Sequence, residues 1–376
     1  MRVEDRVAAI SAIRVLGFSL TMPFVGFALN ELYRVPLPQV SVYYMALAVS
    51  GALGQIAGGA ASDRLGRAKV MALSVALAGL FLGTAAALSS PAYIEAFTAL
   101  QSLASGSFAS SSSALVGDYF TEHARLVRAY GRVRVGSNLG WAVGVAVGGA
   151  LYQLLGLRTL FAFTALTQAS TLPLITGLPS QPARGPTRVE RPPRPLAVFL
   201  IPTFLTFIIA GLMGYPLVQY LSGVIGLSTG LAGSLLAFNG ALVVLLQDRL
   251  SGLASRLRPS AALSLGMVIY AAGYGALPAL RSYAQAVLDV ALITLGEMIV
   301  MPVSSAVAAR TSSPTSRGTH MGVYGLAGSV ARTMSSSIFA ALLSAAPAGD
   351  AWAAESLVAL AAAAGYLALT PRSLSA

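Results

Sequence analysis

The stretch "GGAASDRLGRAKV", Gly58 to Val70, lies between two long apolar runs and holds four ionic side chains: Asp63, Arg64, Arg67 and Lys69. Lys69 is the only lysine among 376 residues. Arg14, Glu297 and Arg332 carry further charges inside apolar runs. Such groups can exchange protons, pair as ions or bind an anion through a guanidinium. Other chemistry is poorly provided for. The chain has no cysteine, and its two histidines, His123 and His320, are far apart, which leaves a poor basis for a metal site. No G-x-x-x-x-G-K-[ST] loop is present to cradle a nucleotide phosphate. A membrane enzyme would need acids or histidines clustered at one face, and the acids here are sparse. No cofactor is expected.

The elements that position these charges follow from composition. The chain is 56% hydrophobic and 10% charged, with mean hydropathy +0.75. A soluble chain carries roughly a quarter charged residues. Apolar runs of about 20 residues recur along the whole length, as in a polytopic membrane protein. The spans read as Val7–Leu32, Gln39–Ala61, Ala68–Leu88, Ala92–Val116, Val127–Leu154, Leu157–Leu178, Leu196–Leu221, Leu227–Leu246, Ser260–Leu280, Tyr283–Ala309, Gly318–Ala345 and Ala351–Leu369. The expected fold is all-α, with twelve transmembrane helices in two six-helix bundles. The fifth, tenth and eleventh spans are long enough to tilt or to extend beyond the bilayer. The N-terminus lacks a small-residue cleavage site, so it reads as the first span and not as a removed signal.

The polar segment "PSQPARGPTRVERPPRP" divides the chain into an N-terminal bundle, 1–178, a linker, 179–195, and a C-terminal bundle, 196–376. Two such halves suit a transporter built from repeats. Nineteen basic residues fall in the termini, the linker and alternate loops, against three in the other loops. The asymmetry predicts that both termini and the linker are cytoplasmic in a multi-pass plasma-membrane protein. It also accounts for the net charge of +11 without a nucleic-acid partner.

With that layout, Gly59-x-x-x-Asp63-Arg64-x-Gly66-Arg67-x-Lys69 resembles the loop signature of the major facilitator superfamily. The resemblance extends over the chain through the spans and the linker. It implies that Asp63 faces the N-terminal end of span eleven, near Gly318–Met321, and that Arg67 pairs with Asp118 at the end of span four. These groups would form a latch that holds the halves together in the outward-facing state and breaks during transport. Gly59 would allow close helix packing and Gly66 a tight turn. A plain positive-inside turn would explain the basic residues but not Asp63 with glycines at these spacings. In the second half, either Asp248-Arg249-Leu250 or Ser255-Arg256-Leu257 echoes Asp63-Arg64-Leu65.

Two further segments bear on direction and coupling. Gly140-x-x-x-Gly144-Val145-x-x-Gly148-Gly149 resembles the span-five signature of the drug:proton antiporters of this superfamily, with Val145 in place of their proline. The glycines equally suit close helix packing. Span four lacks those antiporters' arginine; Ser102 stands there, before Gly106. Its polar strip, Gln101, Ser102, Ser105, Ser107 and Ser110 to Ser113, either lines a cavity or bonds neighbouring helices. In span ten, Gly296-Glu297 followed by Pro302 resembles small-molecule exporters. Glu297 is the candidate for proton coupling, with Arg332 as its partner; a static pair is the alternative. Asp289, nearer the outer end, could snorkel. Arg14 suits either an anionic substrate in a cavity or snorkelling to headgroups. Gln101, Asn138, Trp141, Tyr215 and Asn239 are the other cavity candidates.

The expected function is alternating-access secondary transport. The favoured form is proton-coupled export of a small amphipathic or hydrophobic compound, by a monomer whose partners are substrate, protons and bilayer. Uptake of a polar nutrient and a non-transporting membrane sensor are the alternatives.

Overall fold

The computed structural model describes residues 2–88, 90–178 and 190–371; linker residues 179–189 lie outside them. All regular structure among the described residues is helical. Backbone N–H and C=O groups in lipid must be satisfied within the chain, and a helix does this inside each segment. The helices are α1 (Val3–Glu31), α2 (Leu37–Leu65), α3 (Arg67–Ala87), α4 (Pro91–Tyr119), α5 (His123–Ser170), α6 (Leu172–Thr176), α7 (Arg194–Gly211), α8 (Tyr215–Gly223), α9 (Thr229–Ala254), α10 (Pro259–Ala276), α11 (Tyr283–Thr311), α12 (Arg317–Ala345) and α13 (Ala348–Leu369).

Ten helical segments are long and apolar enough to cross a membrane. Helix α4 is not among them, although it has 29 residues, because its serines and glutamine lower its hydropathy. Helix α5 is interrupted at Gly156, whose φ of 73° and ψ of 170° are not helical. The seventh expected span is likewise broken between α7 and α8. Extra length is not confined to the fifth, tenth and eleventh spans, since α1, α2 and α4 also reach 29 residues. At 1.5 Å per residue this is about 43 Å, beyond a hydrocarbon core of about 30 Å.

The chain forms two compact units. The first comprises Met1–Tyr119, Arg132–Arg191 and Ser312–Leu326; the second comprises Phe120–Gly131, Pro192–Thr311 and Ala327–Ala376. The first turns of α12 thus belong with the N-terminal helices, and the first turns of α5 with the C-terminal ones.

Small residues set the packing of the first unit. A Cβ at Gly136, Gly140, Gly144 or Gly148 of α5 would strike the α1 backbone at Ala8, Ala12, Leu16 or Leu20. Helices α2 and α4 approach as closely, with Gly54 and Gly58 against Leu103 and Ser107. Lipid gives helices little hydrophobic reason to associate, so contact area and interhelical hydrogen bonds must supply it. The second unit packs instead around rings. Tyr274 stacks on Trp352 at 5.5 Å and on Tyr270 at 5.9 Å, while Phe339 lies 4.2 Å from Trp352. Thr206 and Tyr366 join α7 to α13 through a 2.8 Å hydroxyl contact.

Candidate functional site

A single residue, Gly66, separates α2 from α3, with φ 96°. That φ favours glycine, and the turn returns Arg67 beside Asp63. Arg67 Nη1 donates to Asp63 Oδ1 and to Ser62 Oγ at 2.9 Å, while its Nε donates to Asp118 Oδ2 at 2.9 Å. The other side of Asp63 meets the first turn of α12. The backbone N–H groups of Gly318 and Thr319 donate to Oδ1 and Oδ2 at 2.8 Å each. The Thr319 hydroxyl donates to Oδ2 at 2.7 Å. Asp118 Oδ1 accepts from Arg317 Nη1. Gly59 has no room for a Cβ, which would strike the Gly318 carbonyl. Arg64, three residues before Arg67 in the last turn of α2, is exposed.

The result is a chain of alternating charges: Asp63, Arg67, Asp118, Arg317. Asp63 is 5% exposed and Arg67 9%. Buried charges need both pairing and hydrogen bonds. Asp63 has both, and it also sits where the partial positive charge of a helix N-terminus favours an anion. Thr319 falls within the Gly318–Met321 segment expected to face Asp63, whereas Arg317 was not legible as a partner, because no spacing in the chain links it to Asp118, 199 residues away.

The same geometry identifies the second-half echo. In the first unit, Cβ atoms at Gly322 and Gly325 of α12 would meet Gln55 of α2. In the second unit, a Cβ at Gly131 of α5 would meet Ser251 and Gln247 of α9. Gln55 and Gln247 therefore occupy like places. Counting eight residues on from each aligns Asp63-Arg64-Leu65 with Ser255-Arg256-Leu257. The echo has lost its acid, and Asp248 is an exposed residue within α9.

A second cluster surrounds Arg14. Its Nε donates to Gln168 Oε1 at 3.0 Å and its Nη2 to Ser105 Oγ at 3.3 Å. The guanidinium lies 3.6 Å from the centre of the Phe108 ring, and Gln101 Nε2 donates to the same Ser105 hydroxyl at 2.8 Å. Arg14 thus turns into the helices and does not snorkel. The polar strip of α4 divides accordingly. Ser102, Ser107 and Ser111 donate to the Leu47, Gly54 and Gly58 carbonyls of α2, while Gln101 and Ser105 join Arg14.

In the second unit, Glu297 is the midpoint of α11. Asn239 Nδ2, from α9, donates to Glu297 Oε2 at 3.2 Å and to Thr294 Oγ1 at 2.9 Å. The Arg332 guanidinium sits 4.5 Å from the Phe207 ring centre. Asp289 is 6% exposed and its Oδ2 lacks a hydrogen-bond partner, so it does not snorkel. The remaining candidates are scattered. Asn138 donates to the Arg134 carbonyl of its own helix at 3.0 Å. Trp141 lies 6.3 Å from Phe18 and Tyr215 is exposed. Among the described residues no group of three or more histidines and acids could hold a metal.

A family profile described as Major Facilitator Superfamily matches residues 7–336. No curated protein matches the chain. Among solved structures, the human organic anion transporter MFSD10 (TETRAN) is similar at TM-score 0.83 and 20% identity, covering 97% of this chain and 100% of that one. A bacterial homologue of the iron transporter ferroportin gives 0.78 and 15%, covering 98% of each. The proton:xylose symporter XylE gives 0.74 and 14%, covering 98% of this chain and 95% of that one.

Proposed function

This chain belongs to the major facilitator superfamily and is a multi-pass secondary transporter of a small molecule; we propose that it exports a small amphipathic or hydrophobic compound in exchange for protons. Glu297 carries this reading. A carboxylate at the middle of a 29-residue apolar helix is costly to keep in a membrane and marks an ion or substrate path. Coupling requires a group whose proton occupancy differs between two access states. Glu297 meets an uncharged amide on another helix, a partner that tolerates either charge state. The resemblance of span ten, and of the span-five glycines, to exporters supports the outward direction.

Twelve passes complete the layout. Dividing α5 at Gly156 and adding α4 brings the ten apolar segments to that number. The basic asymmetry supports cytoplasmic termini in the plasma membrane, and the protein works as a monomer. Asp63, Arg67 and Asp118 serve as the latch, made and broken once per cycle, and its release frees the first turn of α12.

The test replaces Glu297 by Gln, which mimics the protonated carboxyl. In liposomes loaded with a pH-sensitive dye, the parent should move protons when offered an amphipathic compound from a panel that includes dyes, sugars and amino acids. Glu297→Gln should abolish gradient-driven accumulation while retaining exchange of the same compound. Parental accumulation by the variant would place coupling elsewhere.

A further inference from the structure

Arg14 is a half-buried cation served only by neutral groups. Its contacts among the described residues are the Gln168 carbonyl oxygen, the Ser105 hydroxyl and the Phe108 ring. None is a carboxylate. A charge half-buried among apolar helices favours a counter-charge, and no described residue supplies one in contact with it.

The hydrogen-bond inventory points the same way. Gln168 is fully buried, and its Oε1 accepts from Arg14, which fixes the direction of the amide. Its Nε2 then has no acceptor. Ser105 Oγ accepts twice, from Arg14 and from Gln101, so its own hydrogen needs an acceptor as well. On Arg14, Nε and Nη2 are engaged while Nη1 makes no hydrogen bond. That leaves the Nη1–Nη2 edge of the guanidinium, a fork that matches a carboxylate. Three helix segments of one unit, α1, α4 and the part of α5 after Gly156, therefore present unspent donors around one uncompensated positive charge. A site rich in donors and poor in acceptors is suited to an anion.

We infer that Arg14, Gln168 and Ser105 bind the carboxylate of a monovalent organic anion, so that the amphipathic substrate carries an acid at one end. The inference rests on the transporter reading and narrows its substrate class. One guanidinium balances one negative charge, and the Phe108 ring and apolar helix faces around it suit an apolar body better than a polyanion. The acid would enter only when the pocket is open. The uncompensated charge would then favour loaded over empty protein.

Binding can be measured without transport. Thermal unfolding of the purified full chain in detergent would be followed at constant ionic strength with paired probes: benzoate and benzamide, octanoate and octanamide, dansylglycine and dansylglycinamide. At least one carboxylate should stabilise the parent more than its amide. Arg14→Gln should remove that difference and be no less stable than the empty parent, because it deletes an unbalanced, half-buried charge. Arg14→Lys, which keeps the charge but loses the fork, should weaken carboxylate binding by roughly ten-fold or more. Gln168→Leu should weaken it by less. The inference is overturned if no carboxylate outperforms its amide, or if Arg14→Gln retains the preference. It is also overturned if chloride alone stabilises the parent as well as the carboxylates do, since the site would then serve an inorganic ion. Carboxylate binding without proton-driven movement in the liposome assay would overturn the coupled-export reading and leave the anion site standing.

Discussion

Asp63 accepts from four donors: two backbone N–H groups, one hydroxyl and one guanidinium. No neutral side chain can replace it, since an amide presents one acceptor oxygen and two N–H hydrogens where two oxygens are needed. Asp63→Asn should insert and fold but slow counterflow in liposomes by about ten-fold or more, given about 1.5–3 kcal/mol for hydrogen bonds to a charged group. Transport at the parental rate would reduce the cluster to a topology signal. Asp118 plays a different part, because it stands between Arg67 and Arg317. Asp118→Asn leaves two nearly buried guanidiniums facing a neutral group. Breaking a buried pair in this way costs about 3–5 kcal/mol, and a fall of several degrees in unfolding temperature is expected. Asp118→Glu, which restores the charge, should recover most of it.

At the scale of the helix, the glycines of α5 act in packing. They recur every four residues against successive turns of α1, so each one sets the distance between two backbones. Gly144→Val should force α5 from Leu16 and Ser19 and sharply lower the yield of folded protein. Gly83, whose added Cβ would meet nothing within 4 Å, is the control, and Gly83→Val should fold normally. Equal yields from the two variants would refute the packing account. The proline that the antiporters carry at the place of Val145 is not needed for this contact, since the neighbouring glycine alone permits it. Helix breaks follow the same logic. Gly156 interrupts α5, and α7 gives way to α8 before Pro216, whose ring cannot continue the hydrogen-bond ladder.

For the whole molecule, orientation is the testable property. The native lack of cysteine makes single-cysteine labelling clean. Cysteines introduced at Ser180 and Ser90 should react with an impermeant thiol reagent from opposite sides of the membrane. Labelling of both from one side would overturn the map of twelve passes and with it the cytoplasmic placing of the Asp63 cluster.

Much of this was legible because membrane helices are written locally. A run of apolar side chains must satisfy its own backbone in lipid, so length and hydropathy alone mark segments such as α1 and α11, and the basic asymmetry predicts which of their ends are cytoplasmic. Gly66 was legible as a turn and Asp63 as an unusual anion, since both depend on their immediate neighbours. The tertiary structure decided the rest. The like places of Gln55 and Gln247 chose Ser255 over Asp248 as the echo, because two x-Arg-Leu triplets seven residues apart on one chain segment are told apart only by what packs against them. The serines of α4 could not be assigned by spacing, since adjacent faces of one helix serve a neighbouring helix and a half-buried arginine. Arg14 shows the limit most plainly. Its charge and depth are properties of the sequence, but whether it reaches water or is enclosed depends on Gln168, Ser105 and Phe108, which arrive from helices far along the chain.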